Sequence, residues 1–345
     1  MSEAAAILDE IRQALGPRVL ETREVAACGA VFTVAPADLP AAAAYLDKTL
    51  DARFVISMGT DFRPQGRGFR VDHVFSQDRR KTWVVVRAYA SAEDPAVPSI
   101  TPEGPAAGWA EREFQDMLGI RAEGHPDPRR LVLADDWPEG LHPLRRDFPY
   151  NFRPEPADNV AQPLASPPGK SVTVPIGPFF PVLEEACFIK VFADGEEVVG
   201  LDYRGFFNHR GIEKLGDSKL TYNEIPFLAE RICGICGFVH STSYAQAVEN
   251  AAGLEVPLRA KYIRSIVLEL ERVHSHLLWL GIAGHILGFD TVLMQSWRIR
   301  EPIMWLMEKL TGNRKTYGMN LIGGVRRDLD RAAHPEILRV LEEIE

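Results

Sequence analysis

The chain has 345 residues, which is enough for two domains with a hydrophobic core each. Its hydrophobic fraction of 46% and charged fraction of 25% are ordinary for a soluble globular protein. A net charge of -9 argues against nucleic acid, and against an anionic membrane surface, as a direct partner. The 4 cysteines are too few for a disulfide framework, so we expect thiols kept for chemistry in a reducing cytoplasm.

The N-terminal segment is acidic and amphipathic, and it lacks the basic and then apolar layout of a signal peptide. The longest nearly uncharged apolar run, residues 277–290, is only about half of the ~20 residues that span a bilayer. We therefore expect any membrane association to come through other subunits.

Residues 1–150 are predicted to form one domain with mixed α/β structure. Apolar periodicity and turn residues indicate helices over 4–15, 39–50 and 110–118, and strands over 30–34, 53–58, 68–75 and 82–90. Residues 151–171 contain repeated prolines among alanine, serine and glycine, and we interpret them as an interdomain linker.

Residues 172–345 are predicted to form the second domain, which begins with a small β-hairpin. The hairpin is indicated by Asp194-Gly195 between two strand-like segments, 187–192 and 197–201.

The rest of that domain is predicted to be mainly helical. Apolar residues at three- and four-residue spacing indicate a long helix over 260–286. A further helix is expected over 293–310, with a kink or restart at Pro302. The predicted fold class is therefore α+β: an N-terminal mixed α/β domain, a Pro-rich linker, a small β-hairpin region and a mainly helical domain.

A C-x-x-C pair, Cys233 and Cys236, lies in a context that indicates helix. Two thiolates at this spacing can bind one metal ion or exchange electrons as a dithiol. A thioredoxin-like dithiol would follow a strand, whereas residues 224–228 are predicted to be helical. A zinc site would need two further ligands, of which His240 is the nearest candidate, and isolated cysteines often act simply as small hydrophobic residues.

The other two cysteines show no partner spacing. Cys187 is expected to be buried in its strand, and Cys28 has no predicted role.

The motif Arg231-x-Cys233-Gly234-x-Cys236-x-x-x-His240 resembles the N-terminal metal motif of [NiFe]-hydrogenase large subunits. The segments 209–214, 269–276 and 315–328 are similar to neighbouring motifs of the same family, so the resemblance covers about residues 174–328. Together these motifs resemble the complex I-related, energy-converting branch, of the formate-hydrogenlyase type.

The N-terminal domain resembles a different family. Residues 111–120, 124–130 and 142–149 look like the signature of the 30-kDa subunit of respiratory complex I. In hydrogenases of the formate-hydrogenlyase type this domain is fused ahead of the large subunit, in the order found here.

The resemblance implies roles for the two cysteines and for His240. Cys233 and Cys236 would supply two of the four thiolates around nickel, and Cys236 would also bridge to an iron that carries CO and cyanide. His240, one turn after Cys236, would donate a hydrogen bond to that sulfur. The alternative for His240 is a histidine satisfied within the core.

Other polar residues also receive expected roles from the resemblance. Glu213 would be a proton-relay carboxylate, and its alternative is an interaction with Lys214 or a helix cap. Arg231 is expected to orient the loop beside the cofactor. Three further histidines are expected to pack or to hydrogen-bond between helices and not to bind metal: His274, His276 and His285.

The sequence departs from the family at two places. The family builds its nickel site from two C-x-x-C pairs, and these residues contain no second pair, so we expect an incomplete part of a longer protein that is inactive alone. Phe180 stands where complex I relatives typically carry a histidine that serves quinone binding, which counts against quinone reduction.

The sequence therefore predicts the large subunit of a formate-hydrogenlyase-like [NiFe] hydrogenase, which interconverts H2 with protons and electrons. Expected partners are a small subunit with Fe–S clusters, ferredoxin-like subunits and membrane subunits of a complex I-like arm, on the inner face of the cell membrane. Two alternatives stay open: a non-catalytic complex I-like assembly or quinone oxidoreductase subunit, and a zinc-binding or redox-active C-x-x-C protein.

Overall fold

A computed structural model describes residues 2–25, 29–157, 166–177, 187–204 and 209–344. The chain divides into two compact units, Met1–Gly211 and Ile212–Glu345. The predicted boundaries at residues 151 and 171 stay a prediction, and part of that linker, together with Cys28 and Phe180, lies outside the described residues.

The helices and strands of the first unit follow in chain order: α1 (Glu3–Leu15), β1 (Val19–Val25), β2 (Gly29–Val34), α2 (Leu39–Lys48), β3 (Arg53–Asp61), β4 (Phe69–Gln77), β5 (Thr82–Ala90), β6 (Ala96–Pro98), α3 (Gly108–Leu118), β7 (Arg121–Glu123), β8 (Val172–Ile176), β9 (Phe188–Asp194) and β10 (Glu197–Arg204).

A five-stranded sheet in the order β1-β2-β5-β4-β3 forms the centre of this unit. Within this sheet β2 and β5 pair in parallel, and the other described neighbours pair antiparallel. Helix α1 begins at the cap residue Ser2, whose hydroxyl accepts the amide of Ala5, and it buries Ile7 and Ile11 on one face. These side chains share a core with residues of the sheet such as Phe32 and join α2 and α3 in one apolar cluster.

A separate three-stranded antiparallel sheet has the order β10-β9-β8. Strands β9 and β10 form the predicted hairpin, and Gly195 in the turn has a positive φ of 64° that favours glycine. Strand β8 begins directly after the predicted linker and was not indicated by the sequence pattern. Cys187, next to β9, is buried as expected.

The second unit consists mainly of helices, in the order α4 (Ile212–Ser218), α5 (Ile225–Ala229), α6 (Gly237–Ala252), α7 (Leu258–Ile286), α8 (Asp290–Thr311), β11 (Asn320–Leu321), β12 (Gly324–Val325) and α9 (His334–Ile344). The predicted α+β class is thereby confirmed.

The pair α7 and α8 forms the framework of this unit. Gly284 allows the two helices to approach, since a Cβ at this position would lie 2.7 Å from Cβ of Val292. Helix α8 runs through Pro302 without the predicted restart. In the part of the chain that the structure describes, no helix is both long enough and apolar enough to cross a bilayer.

Candidate metal centre

The C-x-x-C pair lies in the loop between α5 and α6, so the prediction of a helical context is wrong. Helix α6 begins at Gly237, and Cys236 is its N-cap residue. The backbone N–H of Cys236 donates to Sγ of Cys233 at 3.2 Å, and both thiols are half-buried. The loop therefore leaves neither cysteine fully buried.

His240 is the nearest imidazole to the pair. Its Nε2 lies 3.6 Å from Sγ of Cys236, because residues four apart on a helix share one face. Burial lowers the pKa of His240, which favours the neutral ring. This distance allows the expected hydrogen bond between His240 and the sulfur. The role of that bond in tuning a metal site stays a prediction.

Arg231 lies across the ring of Tyr317. Its guanidinium carbon is 4.3 Å from the ring centroid, and Nη1 donates to the carbonyl of Phe227 at 3.1 Å and to Glu230 at 3.3 Å. These contacts agree with an orienting function for the loop. Whether Arg231 also contacts a cofactor stays a prediction.

Glu213 occupies the first turn of α4, where its side chain is exposed. Within the described part of the chain, no hydrogen bond or ion pair connects its carboxylate with the residues around the cysteine pair. Its neighbour Lys214 is buried. The relay role of Glu213 therefore stays a prediction, and an acid in the first turn of a helix also interacts favourably with the helix dipole.

Two buried carboxylates beside the cysteine loop were missed by the sequence reasoning. The first is Glu230, of which 1% is exposed and whose two oxygens both lie 2.9 Å from the amide nitrogen of Gly318. The second is Glu271 on α7, which accepts the backbone N–H groups of Phe238 at 2.8 Å and Val239 at 2.9 Å. Burial raises the pKa of both carboxyl groups, and their hydrogen bonds act in the opposite direction.

His274 contacts the backbone of the loop between the two cysteines. Its Nε2 is 3.0 Å from the carbonyl oxygen of Ile235, and Nδ1 is 3.1 Å from a guanidinium nitrogen of Arg300. These partners require a ring protonated at Nε2 only, so that Nε2 donates and Nδ1 accepts. Burial, together with Arg300, lowers the pKa of His274 to about 4, so the ring is neutral.

The hydrogen bonds of His274 and His285 agree with the prediction for the helix histidines, whereas the role of His276 stays a prediction. His276 is exposed, and His285 is also exposed and lies 2.6 Å from a carboxylate oxygen of Asp290.

One signal could have revealed Glu271 and His274. Both occupy the buried stripe of α7, in which Val267 is followed by Glu271 four residues later and by His274 three residues after that. A carboxylate in such a stripe must be paired, because an unpaired buried charge is strongly unfavourable.

The donor set fits part of a metal site. Sγ of Cys233 contacts the amide of Cys236, Sγ of Cys236 contacts His240, and soft sulfur ligands of this kind suit nickel, iron or zinc. Among the residues that the structure describes, no group of three or more His, Cys, Asp or Glu side chains is arranged so that it could hold a metal ion. Further ligands are needed to complete one.

Three family models match the chain in succession. Residues 32–154 match the 30 Kd subunit of respiratory-chain NADH dehydrogenase. Residues 210–290, which contain the cysteine pair, match the nickel-dependent hydrogenase family. Residues 287–345 match the 49 Kd subunit of respiratory-chain NADH dehydrogenase.

Three curated relatives match half of the chain or more. Hydrogenase-4 component G of Escherichia coli (strain K12) is 47% identical over 310 residues, which cover 89% of this chain and 56% of the relative. Formate hydrogenlyase subunit 5 of the same strain is 50% identical over 279 residues, or 79% of this chain and 49% of the relative. The alpha subunit of the membrane-bound hydrogenase of Pyrococcus furiosus is 48% identical over 171 residues, or 50% of this chain and 40% of the relative.

The chain is similar to the complex I-related large subunits of [NiFe] hydrogenases, since a match to the 30 Kd subunit precedes the match to nickel-dependent hydrogenases. Within this class it is similar to Hydrogenase-4 component G and to formate hydrogenlyase subunit 5 over most of its length. The chain spans about half the length of these curated relatives.

Proposed function

We propose that this chain forms part of the catalytic large subunit of a formate-hydrogenlyase-like [NiFe] hydrogenase, which interconverts H2 with protons and electrons. The observation that carries the proposal is the cluster of Cys233, Cys236 and His240 within the segment that matches nickel-dependent hydrogenases. The two thiols lie in one half-buried loop, where both can bind the same metal ion.

Cys233 and Cys236 would hold nickel as thiolates, and Cys236 would also contact an iron that carries CO and cyanide. The bound Ni–Fe centre would supply the site at which H2 is formed or split. His240 would orient the sulfur of Cys236 through the contact of 3.6 Å. Since the 345 residues contain no second C-x-x-C pair, we infer that the remaining thiolates lie outside them and that this part alone is inactive.

Glu213 would carry protons between the metal site and the surface. Formation or cleavage of H2 needs a nearby group that accepts or donates a proton, and a carboxylate can do both. The exposed position of Glu213 suits the outer end of such a route, where protons pass to solvent or to a partner subunit.

Electrons would come from other subunits, because 4 cysteines cannot hold a chain of Fe–S clusters. We propose an Fe–S small subunit, ferredoxin-like subunits and membrane subunits as partners, with the chain held peripherally on the cytoplasmic face of the membrane. The relatives support this arrangement, since their names describe them as subunits or components and one as membrane-bound.

The alternative is a complex I-like assembly or quinone oxidoreductase subunit. It is supported by the matches to the 30 Kd and 49 Kd subunits, and by an NADH-quinone oxidoreductase subunit of Phocaeicola vulgatus, which is 33% identical over 289 residues. The higher identity to hydrogenase subunits and the cysteine pair favour the hydrogenase.

The proposal is tested by H2 evolution from a reduced viologen dye with the complete protein, purified with its partners from its own host. Cys233→Ala is expected to abolish H2 evolution and to leave the thermal unfolding of the N-terminal unit unchanged. The matched control is Cys187→Ala, which removes another buried thiol and is expected to retain activity. H2 evolution by the Cys233→Ala protein would contradict the proposal.

A further inference from the structure

The segment that carries the cysteines is attached at both ends to one stretch of chain, Thr316–Gly318, which we call the strap. The attachments use buried carboxylates and not the cysteine side chains. Glu230 precedes the pair by three residues. Phe238 and Val239, which bind Glu271, follow Cys236 by two and three residues.

At the first end, both carboxylate oxygens of Glu230 accept the amide of Gly318, although the two residues are 88 positions apart in sequence. Arg231 donates to the same carboxylate and covers the ring of Tyr317. The hydroxyl of Tyr317 donates to the carbonyl oxygen of Cys233 at 3.4 Å. The strap thereby fixes the backbone at Cys233.

At the second end, Glu271, which lies on α7, caps the N-terminus of helix α6. The amides of Phe238 and Val239 are among the first N–H groups of the helix and have no partner within it. Each binds a different oxygen of Glu271, which fixes the rotation of the first turn about the helix axis. Cys236 and His240 flank this turn, so their relative position depends on the same carboxylate.

The strap is held in an uncommon conformation. Thr316 is fully buried and has a φ of +61°, which β-branched residues rarely adopt. Its hydroxyl lies 3.0 Å from Oε2 of Glu271 and is shared with the carbonyl of Lys315. Both glutamates therefore form hydrogen bonds with the strap, and both side chains are buried.

We propose that Glu230 and Glu271 are positioning residues, which fix the backbone that carries the two thiols and His240 before any metal arrives. The identity of the metal rests on the proposed function, whereas the preformed arrangement does not. Burying two carboxylates is unfavourable unless each is fully hydrogen-bonded, and the bonds that satisfy them lead to the cysteine segment, to α6 or to the strap.

The test uses the complete chain, isolated without metal, and the variant Glu271→Gln. Glutamine keeps one oxygen acceptor and places an NH2 group against the second backbone N–H. The matched control is Glu269→Gln, on the same helix, where the exposed carboxylate pairs with the exposed Arg272 at 3.2 Å. Thermal unfolding establishes that each variant is folded.

Two quantities are measured: amide hydrogen exchange in a peptide covering residues 234–242, and the dissociation constant for Co2+ from its thiolate-to-cobalt absorption. We expect Glu271→Gln to speed exchange in this peptide and to raise the dissociation constant by about 10- to 100-fold, the usual effect of removing a partner that orients metal ligands. Glu269→Gln is expected to match the unchanged chain in both.

The proposal is overturned if Glu271→Gln leaves both quantities unchanged, if Glu269→Gln changes them equally, or if the unchanged chain does not bind Co2+. Should Glu271→Gln not fold, Glu230→Gln provides the same test at the other end, because glutamine can still accept the amide of Gly318. A complete protein without nickel or H2 activity would count against the proposed function and would leave the exchange result intact.

Discussion

Gly237 lies directly against the ring of Tyr317. A Cβ atom at residue 237 would be 2.4 Å from Cε1 of Tyr317 and 2.7 Å from the carbonyl oxygen of Glu230. Only glycine, which has no Cβ, therefore fits at this junction of the cysteine loop and α6 while Tyr317 lies so close. Since Tyr317 also binds the carbonyl of Cys233, this contact helps to set where the loop lies.

The substitution Gly237→Ala is expected to destabilise the second unit by about 1–3 kcal/mol, the usual effect of adding volume to a packed site. The matched control is Gly234→Ala in the same loop, where a Cβ would meet no atom within 4 Å. Chemical unfolding of both variants checks the prediction, and equal stabilities would show that the packing around Tyr317 is not tight.

A second prediction concerns the buried ion pair of Arg264 and Glu249. The two side chains form paired hydrogen bonds of 2.7 and 2.9 Å, and Arg264 also donates to the carbonyls of Leu321 and Gly324. Arg264→Met leaves the carboxylate of Glu249 buried without its charge partner. We expect a loss of about 3–5 kcal/mol in the free energy of unfolding.

The control for this variant is Arg272→Met. Arg272 pairs with Glu269 at 3.2 Å, but both side chains are more than half exposed, at 60% and 64%. An exposed pair contributes about 0–1 kcal/mol. If both substitutions cost the same, burial does not determine the strength of the Arg264 pair.

A third prediction is a pH dependence caused by His274. Its pKa is about 4 in the folded chain, because of burial, against an ordinary value of 6.5. Protonation therefore favours the unfolded state, and the stability that the neutral ring contributes is complete above pH 6.5. It is lost as the pH falls from 6.5 to 4, by up to about 1.4 kcal/mol for each pH unit.

This dependence is measured as the difference in unfolding free energy between the unchanged chain and His274→Gln across that pH range. Other acidic groups titrate in both proteins and cancel in the difference. We expect the advantage of the histidine to shrink steadily towards pH 4, whereas a constant difference would show that the ring does not titrate in this window.

A fourth prediction concerns the exposed Glu213. In the complete protein, Glu213→Gln should lower H2 evolution by about 100-fold or more, as expected when a proton-transfer group is lost. Nickel content should stay the same, because the residue binds no metal. Unchanged H2 evolution would show that Glu213 does not relay protons and only stabilises the start of α4.

Local sequence patterns predicted most of the fold. Helices α1, α2 and α3 and strands β2 to β5 were predicted to within a few residues, because each has its own apolar periodicity. Strand β1 was missed since it is an edge strand whose side chains are mostly exposed and do not alternate between apolar and polar. Strands β11 and β12, of two residues each, are too short to leave a pattern.

The long helix α7 shows where periodicity is insufficient. Ile266 and Val273 belong to its regular apolar spacing, but they are 37% and 36% exposed. Glu271 and His274 occupy the buried face instead. The reason is tertiary: both bind the backbone of the cysteine segment, which no pattern within α7 reveals.

Part of the candidate site was likewise predictable from the sequence, and part was not. The motif located Cys233, Cys236 and His240, because their spacing is local. The partners that hold the loop, such as the strap residues Tyr317 and Gly318, are more than 80 residues away in sequence and become visible only in the folded chain.

The most direct test of the account is the nickel content of the complete protein, purified from its own host and measured by mass spectrometry. The account predicts nickel in the unchanged protein and in the Cys187→Ala control, and its loss from Cys236→Ser with the fold retained. Nickel that remains bound in folded Cys236→Ser protein would contradict the assignment of this loop as the metal site.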